Sequence, residues 1–207
     1  MAMVCVQCGS YGRGSVMGRV VVCDFCGAER ERPDLPFLVV TGAPASGKSL
    51  VCAALTAAPG VLALDGDTLA SGAHAVADGR RDYLAFWAYL WQLGLEVQDN
   101  GLIPVLCGVA LPEQVLTTRM EASVPVHFLA LTADEATIRA RIIGRPGSRK
   151  GIDVDRHVAL NEELRQSRVR APDTLTVLDT TSWDREATVA AAQEWCAAFA
   201  APDAALQ

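Results

Sequence analysis

From residue 37 onward, the chain alternates between short apolar runs and longer segments whose apolar residues recur at helical spacing. The apolar runs predict buried strands at residues 37–41, 61–64, 102–107, 126–131 and 175–178. The amphipathic segments predict helices at residues 48–58, 81–98, 113–120, 134–143, 156–168 and 184–199. Apolar strands separated by helices are typical of parallel sheets. We therefore predict an α/β fold with a five-stranded parallel sheet and helices on both faces.

The first 30 or so residues have a different character, because they are rich in glycine and cysteine and poor in leucine and alanine. A short connection with two prolines, residues 31–36, separates them from the alternating pattern. We therefore predict two units, a small N-terminal module at residues 1–32 and a larger domain at residues 37–207.

The composition of the 207 residues, 51% hydrophobic and 20% charged, is that of a globular protein and excludes a disordered chain. No apolar run reaches the ~18 residues that a membrane-spanning helix needs. The N-terminus lacks a basic flank before an apolar stretch, so it does not resemble a signal peptide. We expect a cytoplasmic protein that does not enter membranes.

Charge is distributed unevenly along the chain. The formal net charge is −6, yet nine of the 18 basic residues lie between Arg139 and Arg170, where only four acidic residues occur. A basic segment in an acidic protein favours a local anion site over a surface that coats nucleic acid. The alternative is a helix with a charged, solvated face.

The segment between the first predicted strand and the first predicted helix matches G-x-x-x-x-G-K-[ST] at every fixed position. Its residues are Gly42, Ala43, Pro44, Ala45, Ser46, Gly47, Lys48 and Ser49. Glycines let the backbone N–H groups turn toward phosphate oxygens, and the following helix directs the positive end of its dipole at the same anion. In this motif the lysine reaches the outer phosphates, and the Ser49 hydroxyl ligates magnesium. We predict a nucleotide site with ATP and Mg²⁺ as cofactors.

The second predicted strand ends in Asp65-Gly66-Asp67. Ligands of open α/β sheets bind beyond the carboxyl ends of the strands, so both carboxylates are candidates for catalysis. One can hold magnesium, while the other accepts the proton of an attacking hydroxyl. The alternative is an ordinary Asp-Gly turn after a strand.

Residues 37–200 resemble the small P-loop kinases, which include adenylylsulfate, gluconate and shikimate kinases and chloramphenicol phosphotransferase-like enzymes. The resemblance rests on the phosphate loop, on the D-x-D after the second strand, and on a third strand that ends Leu106-Cys107-Gly108 without a Walker B carboxylate. The stretch from residue 105 to 114 is also similar to nucleoside-kinase-like ATPases. The resemblance implies that Asp67 is the catalytic base and that Asp65 lies on the magnesium side.

Two further site assignments follow from this resemblance. Arg141-Ile-Ile-Gly-Arg145 is similar to the R-x-x-x-R that opens the lid of adenylate-kinase-type enzymes. It implies that Arg141 and Arg145 neutralise charge on the transferred phosphoryl group and help to exclude water. In these kinases the loop after the fifth strand packs on the adenine, which makes Thr180 a candidate nucleotide contact.

Trp87 and Trp91 lie four residues apart in the helix predicted at 81–98 and therefore share one of its faces. They could line a substrate pocket. Aromatic stripes on helices more often pack against a sheet, so we favour a place in the core.

The N-terminal module contains two C-x-x-C pairs, and the second cysteine of each pair precedes a glycine. The cysteines are Cys5, Cys8, Cys23 and Cys26. This spacing is typical of a zinc ribbon, in which two knuckles direct four thiolates at one tetrahedral Zn²⁺. Four thiolates complete the coordination sphere, so we predict a structural zinc with a hairpin between the knuckles. A redox or disulfide role is the less favoured alternative.

Together, these features favour an ATP-dependent kinase that phosphorylates a hydroxyl or phosphate of a small metabolite, nucleoside or nucleotide. One alternative is a polynucleotide 5′-kinase that grips nucleic acid with its ribbon. Another is a non-catalytic ATP-binding regulator whose ribbon recruits a partner. Through Asp34 the chain has four basic and four acidic residues, a balance that does not favour nucleic acid. The sequence identifies neither the acceptor nor the oligomeric state.

Overall fold

The computed structural model describes residues 2–17, 20–31, 34–72, 76–77, 80–120, 122–144 and 153–200. The N-terminal module is a four-stranded antiparallel sheet with the strands in chain order. Its strands are β1 (Ala2–Val4), β2 (Tyr11–Met17), β3 (Val20–Cys23) and β4 (Glu29–Glu31). The predicted hairpin corresponds to β2 and β3, and β4 extends into the segment that we predicted to be a connection.

The larger domain contains a five-stranded parallel sheet, as predicted, and a two-stranded ribbon. Its strands are β5 (Phe37–Gly42), β6 (Val61–Asp65), β7 (Val76–Ala77), β8 (Arg80–Arg81), β9 (Ile103–Cys107), β10 (Val126–Thr132) and β11 (Thr174–Asp179). The parallel sheet has the order β11-β10-β5-β9-β6, and β7 pairs with β8. The strand that precedes the phosphate loop is therefore the central one.

Helices connect these strands. They are α1 (Lys48–Leu55), α2 (Gly66–Gly72), α3 (Tyr83–Asp99), α4 (Pro112–Thr117), α5 (Glu135–Gly144), α6 (Val154–Gln166) and α7 (Arg185–Ala197). Asp82, Asp153 and Asp184 each accept a hydrogen bond from the backbone N–H three residues later, which fixes the start of α3, α6 and α7. None of the described helices is long and apolar enough to cross a membrane.

The alternating side chains of β5 show how both faces of the sheet are covered. Leu38 and Val40 belong to an apolar cluster with α1 and α7, whereas Phe37 and Val39 belong to a cluster with α3 and α4. All six residues of β5 are buried. A strand that is buried on both faces reads as a continuous apolar run, and this is why the pattern of residues 37–41 predicted it correctly.

Trp87 and Trp91 are core residues, as we favoured, with 2% and 1% of their surfaces exposed. Trp91 stacks on Phe37 with the ring centroids 4.2 Å apart. Gly94 lets the Phe37 ring lie against the backbone of α3, since a β-carbon at this position would overlap Cε2 and Cζ of the ring. Helix α3 is therefore packed directly against the first residue of β5.

Pro104 lies inside β9, although proline counts against a strand with neighbours on both sides. Ile103 donates its N–H to the Gly60 carbonyl, 2.8 Å away on the β6 side, so the next backbone nitrogen faces β5. Pairing with β5 begins only at Val105. The missing N–H of Pro104 therefore costs the sheet no hydrogen bond.

Helix α2 is the main feature of the larger domain that we did not predict. It begins at Gly66, directly after β6, within the Asp-Gly-Asp segment for which we predicted no helix. Asp65 accepts hydrogen bonds from the Thr68 N–H, 3.0 Å away, and the Thr68 hydroxyl, 3.3 Å away. The predicted helices are all present, but their ends differ by up to three residues from our prediction, as at Leu55 in α1.

Candidate functional site

The phosphate loop connects the central strand to α1 and has an unusual backbone. Ala45 and Gly47 have φ values of 65° and 107°, and Gly42 has a φ of 157°. A β-carbon at Gly42 would overlap the Ser46 hydroxyl and lie 2.6 Å from the carbonyl oxygen of Leu131. Only glycine fits this position, and a curled backbone of this kind is what lets the N–H groups of a phosphate loop face an anion.

Two polar side chains of the loop are held inside it. The ammonium group of Lys48 donates a hydrogen bond to the Ala43 carbonyl oxygen, 3.0 Å away. Ser46 is only 3% exposed, and its hydroxyl oxygen has no hydrogen-bond partner among the described residues. Buried polar atoms are nearly always hydrogen-bonded, so this hydroxyl fits a ligand that brings its own polar atoms.

The loop forms one wall of a cavity of about 870 Å³. Small-molecule sites usually measure roughly 300–1,000 Å³, so the cavity is large enough for a nucleotide. The remaining walls come from α2, the end of β9, α5 and the start of α7. The lining residues outside the loop are Leu50, Asp67, Val109, Ala140, Arg141, Gly144, Trp183, Arg185 and Thr188.

The structure separates the two candidate carboxylates. Asp67 lies in the first turn of α2, is exposed and lines the cavity together with the phosphate loop. Asp65 is half-buried, is absent from the cavity lining and accepts the two hydrogen bonds from Thr68 that begin α2. The predicted roles of Asp67 as base and of Asp65 on the magnesium side stay predictions. Of the two, Asp67 is the one that reaches the cavity.

Arg141 lies in the last turn of α5 and also lines the cavity. Its Nη1 donates to the Thr180 hydroxyl, 3.0 Å away, and its Nη2 donates to the Thr180 carbonyl oxygen, 2.8 Å away. Thr180 is 1% exposed and donates its own hydroxyl to the Thr132 carbonyl oxygen at 2.9 Å. Thr180 thus lies behind the cavity wall and orients Arg141, while its contact with a nucleotide stays a prediction. Arg145 lies outside the described residues.

Other members of the basic segment are paired on the surface. Arg139 bonds to Glu135 at 3.1 Å and to Asp155 at 2.8 Å, and Arg165 bonds to Asp179 at 2.9 Å. Arg139 and Arg165 therefore belong to a charged, solvated helix face, which was the alternative to an anion site in the sequence analysis. Among the described residues of this segment, Arg141 is the basic residue that the structure brings to the cavity.

Trp183 and Arg185 line the cavity, but our sequence analysis did not identify them. Trp183 is half-buried, and its backbone N–H donates to the Thr180 carbonyl oxygen at 3.2 Å. An aromatic residue directly after the loop of residues 179–182 was the available signal. Its flat ring offers a surface on which a nucleobase can stack.

Two buried polar residues, also not identified from the sequence, fix the loops around the cavity. The Thr41 hydroxyl donates to the Ala110 carbonyl oxygen at 2.6 Å and accepts from the Ala110 N–H at 3.2 Å. Asn161 of α6 makes a similar pair of bonds with the backbone of Ala133, at 2.7 Å and 3.2 Å. Both side chains are at most 2% exposed, so these bonds hold the ends of β9 and β10 in place.

The four cysteines of the N-terminal module form a second candidate site. All are free, and their sulfur atoms lie within 4.8 Å of one another. The two knuckles repeat one geometry, because Gly9 and Gly27 have φ values of 69° and 71° and donate to the carbonyl oxygens of Cys5 and Cys23. The backbone N–H groups of Cys26 and Phe25 lower the pKa of the Cys23 thiol to about 6. The predicted cluster is present and can hold a metal ion.

No protein-family model and no curated protein sequence matches the chain. Solved structures do match it. A sugar kinase from Janibacter sp. HTCC2649 is 18% identical, with a TM-score of 0.62 over 80% of this chain and 96% of the other. A gluconokinase from Sinorhizobium meliloti 1021 is 19% identical, with a TM-score of 0.51 over 82% of this chain and 95% of the other. These similarities confirm the predicted P-loop kinase fold.

Proposed function

We propose that this protein is an ATP-dependent kinase that transfers the γ-phosphoryl group to a hydroxyl or phosphate of a small metabolite, nucleoside or nucleotide. The observation that carries the proposal is the shared cavity, in which Asp67 faces the same space as the complete phosphate loop. A kinase needs a carboxylate to accept the proton of the attacking hydroxyl.

The residues of the loop fit ATP. The backbone N–H groups of a phosphate loop and the N-terminus of α1 favour a chain of phosphates, and the Ser46 hydroxyl, which has no partner among the described residues, can donate to one of them. Ser49, in the first turn of α1, and Asp65, at the end of β6, would hold Mg²⁺, whose charge would neutralise that of the phosphates.

The remaining groups divide the work of the transfer. Asp67 accepts the proton of the acceptor as its oxygen attacks, and Lys48 and Arg141 stabilise the charge on the transferred group. Arg145, four residues after Arg141 in the sequence, is proposed to assist it. Trp183 stacks on the nucleobase, on the side of the cavity formed by α5 and α7.

For the N-terminal module we propose one structural Zn²⁺ held by Cys5, Cys8, Cys23 and Cys26. Four sulfur ligands at tetrahedral spacing are typical of zinc and leave no open position for chemistry. The module, proposed to span residues 1–32, is too small to fold on an apolar core alone, so the metal would supply most of its folding free energy. Thiols that stay available to zinc fit a reducing compartment, and we propose a cytoplasmic location.

The test is a screen for acceptor-dependent release of ADP from ATP and Mg²⁺. The acceptors are nucleosides, nucleotides, sugars, antibiotics and a single-stranded oligonucleotide with a free 5′-hydroxyl. We expect ADP release with one class of small molecule. Lys48→Ala should abolish this release and leave the circular dichroism spectrum, and therefore the secondary structure, unchanged. Arg139→Ala removes an exposed, ion-paired cation outside the cavity and serves as the matched control.

Three outcomes would contradict the proposal. Equal turnover by Lys48→Ala and the parent would exclude the phosphate loop as the donor site. Release with the oligonucleotide alone, together with a steep salt dependence, would favour the polynucleotide kinase. ATP binding without release for any acceptor would favour the regulatory protein.

A further inference from the structure

The N-terminal module is joined to the larger domain by a charged contact at the end of α3. Arg30 of β4 donates from Nη1 to the Asp99 carbonyl oxygen at 3.1 Å, and its Nη2 lies 3.2 Å from the Asp99 carboxylate. The Asp99 side chain is only 6% exposed, whereas that of Arg30 is 36% exposed. One guanidinium group therefore binds both the side chain and the backbone of the last residue of α3.

The Arg30 guanidinium places a positive charge next to the negatively charged end of α3. The C-terminus of a helix carries partial negative charge, and Asp99 adds a nearly buried carboxylate at that point. The last turn of α3 contains no basic residue of its own. Arg30 brings a cation from the other unit, and its loss would remove two contacts from the last residue of α3, one of them to a nearly buried carboxylate.

The position of Arg30 depends in turn on the cysteine cluster. Among the described strands, β4 pairs with β3 alone, where Arg30 is opposite Val21, and β3 ends at Cys23. Because so small a module folds only with its metal, loss of the metal would release β4. Arg30 would then be free to leave Asp99.

The end of α3 is also tied to the strand that carries the phosphate loop. Gln98 is 2% exposed and donates to the Leu35 carbonyl oxygen at 2.6 Å, just before β5 begins. Gly94, one turn earlier, lies against Phe37. A change in the last turn of α3 would therefore reach the first residues of β5.

We infer that the N-terminal module is a metal-dependent brace for the larger domain, which stabilises the last turn of α3 through Arg30 only while the cysteines hold their metal. The inference rests on the zinc site proposed above and goes beyond it, since a structural zinc need not affect a neighbouring domain. It adds conformational coupling between the metal site and the kinase fold.

The test is hydrogen exchange measured by mass spectrometry on the full chain in reducing buffer. Metal analysis first establishes about one zinc per chain, and a chelator then provides the zinc-free protein. In that protein we expect peptides that cover the last turns of α3 to exchange about tenfold faster or more, because the helix end loses both contacts with Arg30. Peptides from α7, on the other face of the sheet, serve as the internal reference and should change little.

A variant separates the brace from general unfolding. Arg30→Gln should retain its zinc and still show the faster exchange at the end of α3. The control is Arg139→Gln, which removes an exposed ion pair on α5 and should exchange like the parent. If zinc-loaded Arg30→Gln exchanges like the parent, or if zinc removal leaves α3 unchanged, the inference is wrong while the zinc site stands. If the reduced chain binds no zinc, the proposed zinc site and the inference fail together.

Discussion

Replacing Gly94 with alanine tests the packing that fixes α3 against the central strand. The added β-carbon would overlap Cε2 and Cζ of Phe37 and lie 3.2 Å from Cδ2. The ring has little room to move, because Phe37 is fully buried and stacks on Trp91 at 4.2 Å. We therefore expect the substitution to force the helix and the strand apart.

Two effects of opposite sign determine how much Gly94→Ala changes the free energy of unfolding. Alanine is more favourable than glycine in the interior of a helix by about 1 kcal/mol. Adding a carbon to a well-packed core costs about 1–3 kcal/mol, and the direct overlap with Phe37 places Gly94→Ala at the upper end. The expected net loss is about 2 kcal/mol in the free energy of unfolding, which lowers Tm by roughly 4–8 °C in a chain of this size.

Urea and thermal unfolding of Gly94→Ala and Gly144→Ala measure this difference. Gly144 ends α5, and a β-carbon there would meet no atom of the described residues within 4 Å. The same substitution should therefore leave the stability unchanged or raise it by less than about 1 kcal/mol. If Gly94→Ala is as stable as the parent, or if both variants lose equal stability, the packing argument is refuted.

Two further predictions concern the cavity. Asp67→Asn should lower turnover by roughly 10²–10⁴-fold with nearly unchanged ATP affinity, because it removes the base but not a phosphate ligand. Steady-state kinetics with the identified acceptor check this, and turnover within a few-fold of the parent would make Asp65 the next candidate. Trp183→Ala should weaken ATP binding by about 1–3 kcal/mol, the usual contribution of a stacked base. Calorimetry with inorganic triphosphate, which has no base, is the control, and an equal loss for both ligands would exclude stacking.

The sequence predicted the features that depend on local pattern. These features are the strand at residues 37–41, the phosphate loop and the paired cysteines. Each is encoded by residues that are close together in the sequence and that favour the same local structure. Asp82, Asp153 and Asp184 begin their helices by local hydrogen bonds, so the helices were found although their ends differed.

The features that we missed depend on contacts between distant parts of the chain. Helix α2 is short and has glycine at both ends, so its sequence pattern is that of a turn. In the structure, the hydrogen bond from the Thr68 N–H to Asp65 lies at the start of this helix. Trp183 lines the cavity beside Ala140 and Arg141 of α5, which are more than 40 residues away in the sequence. Arg30 and Asp99 are 69 residues apart, and no local signal in the sequence predicts their contact.

The strand order has a consequence for how such a protein can change during evolution. Asp67 follows β6 and Trp183 follows β11, the two edges of a five-stranded sheet, so about 19 Å of sheet separates the ends of these strands. Substitutions more than about 10 Å apart usually have additive effects. In the proposed kinase, selection for a new acceptor can therefore alter the β6 edge without disturbing the proposed stacking of the nucleobase on Trp183 at the β11 edge. The central strand and its loop must stay constant, because both halves of the cavity are built on them.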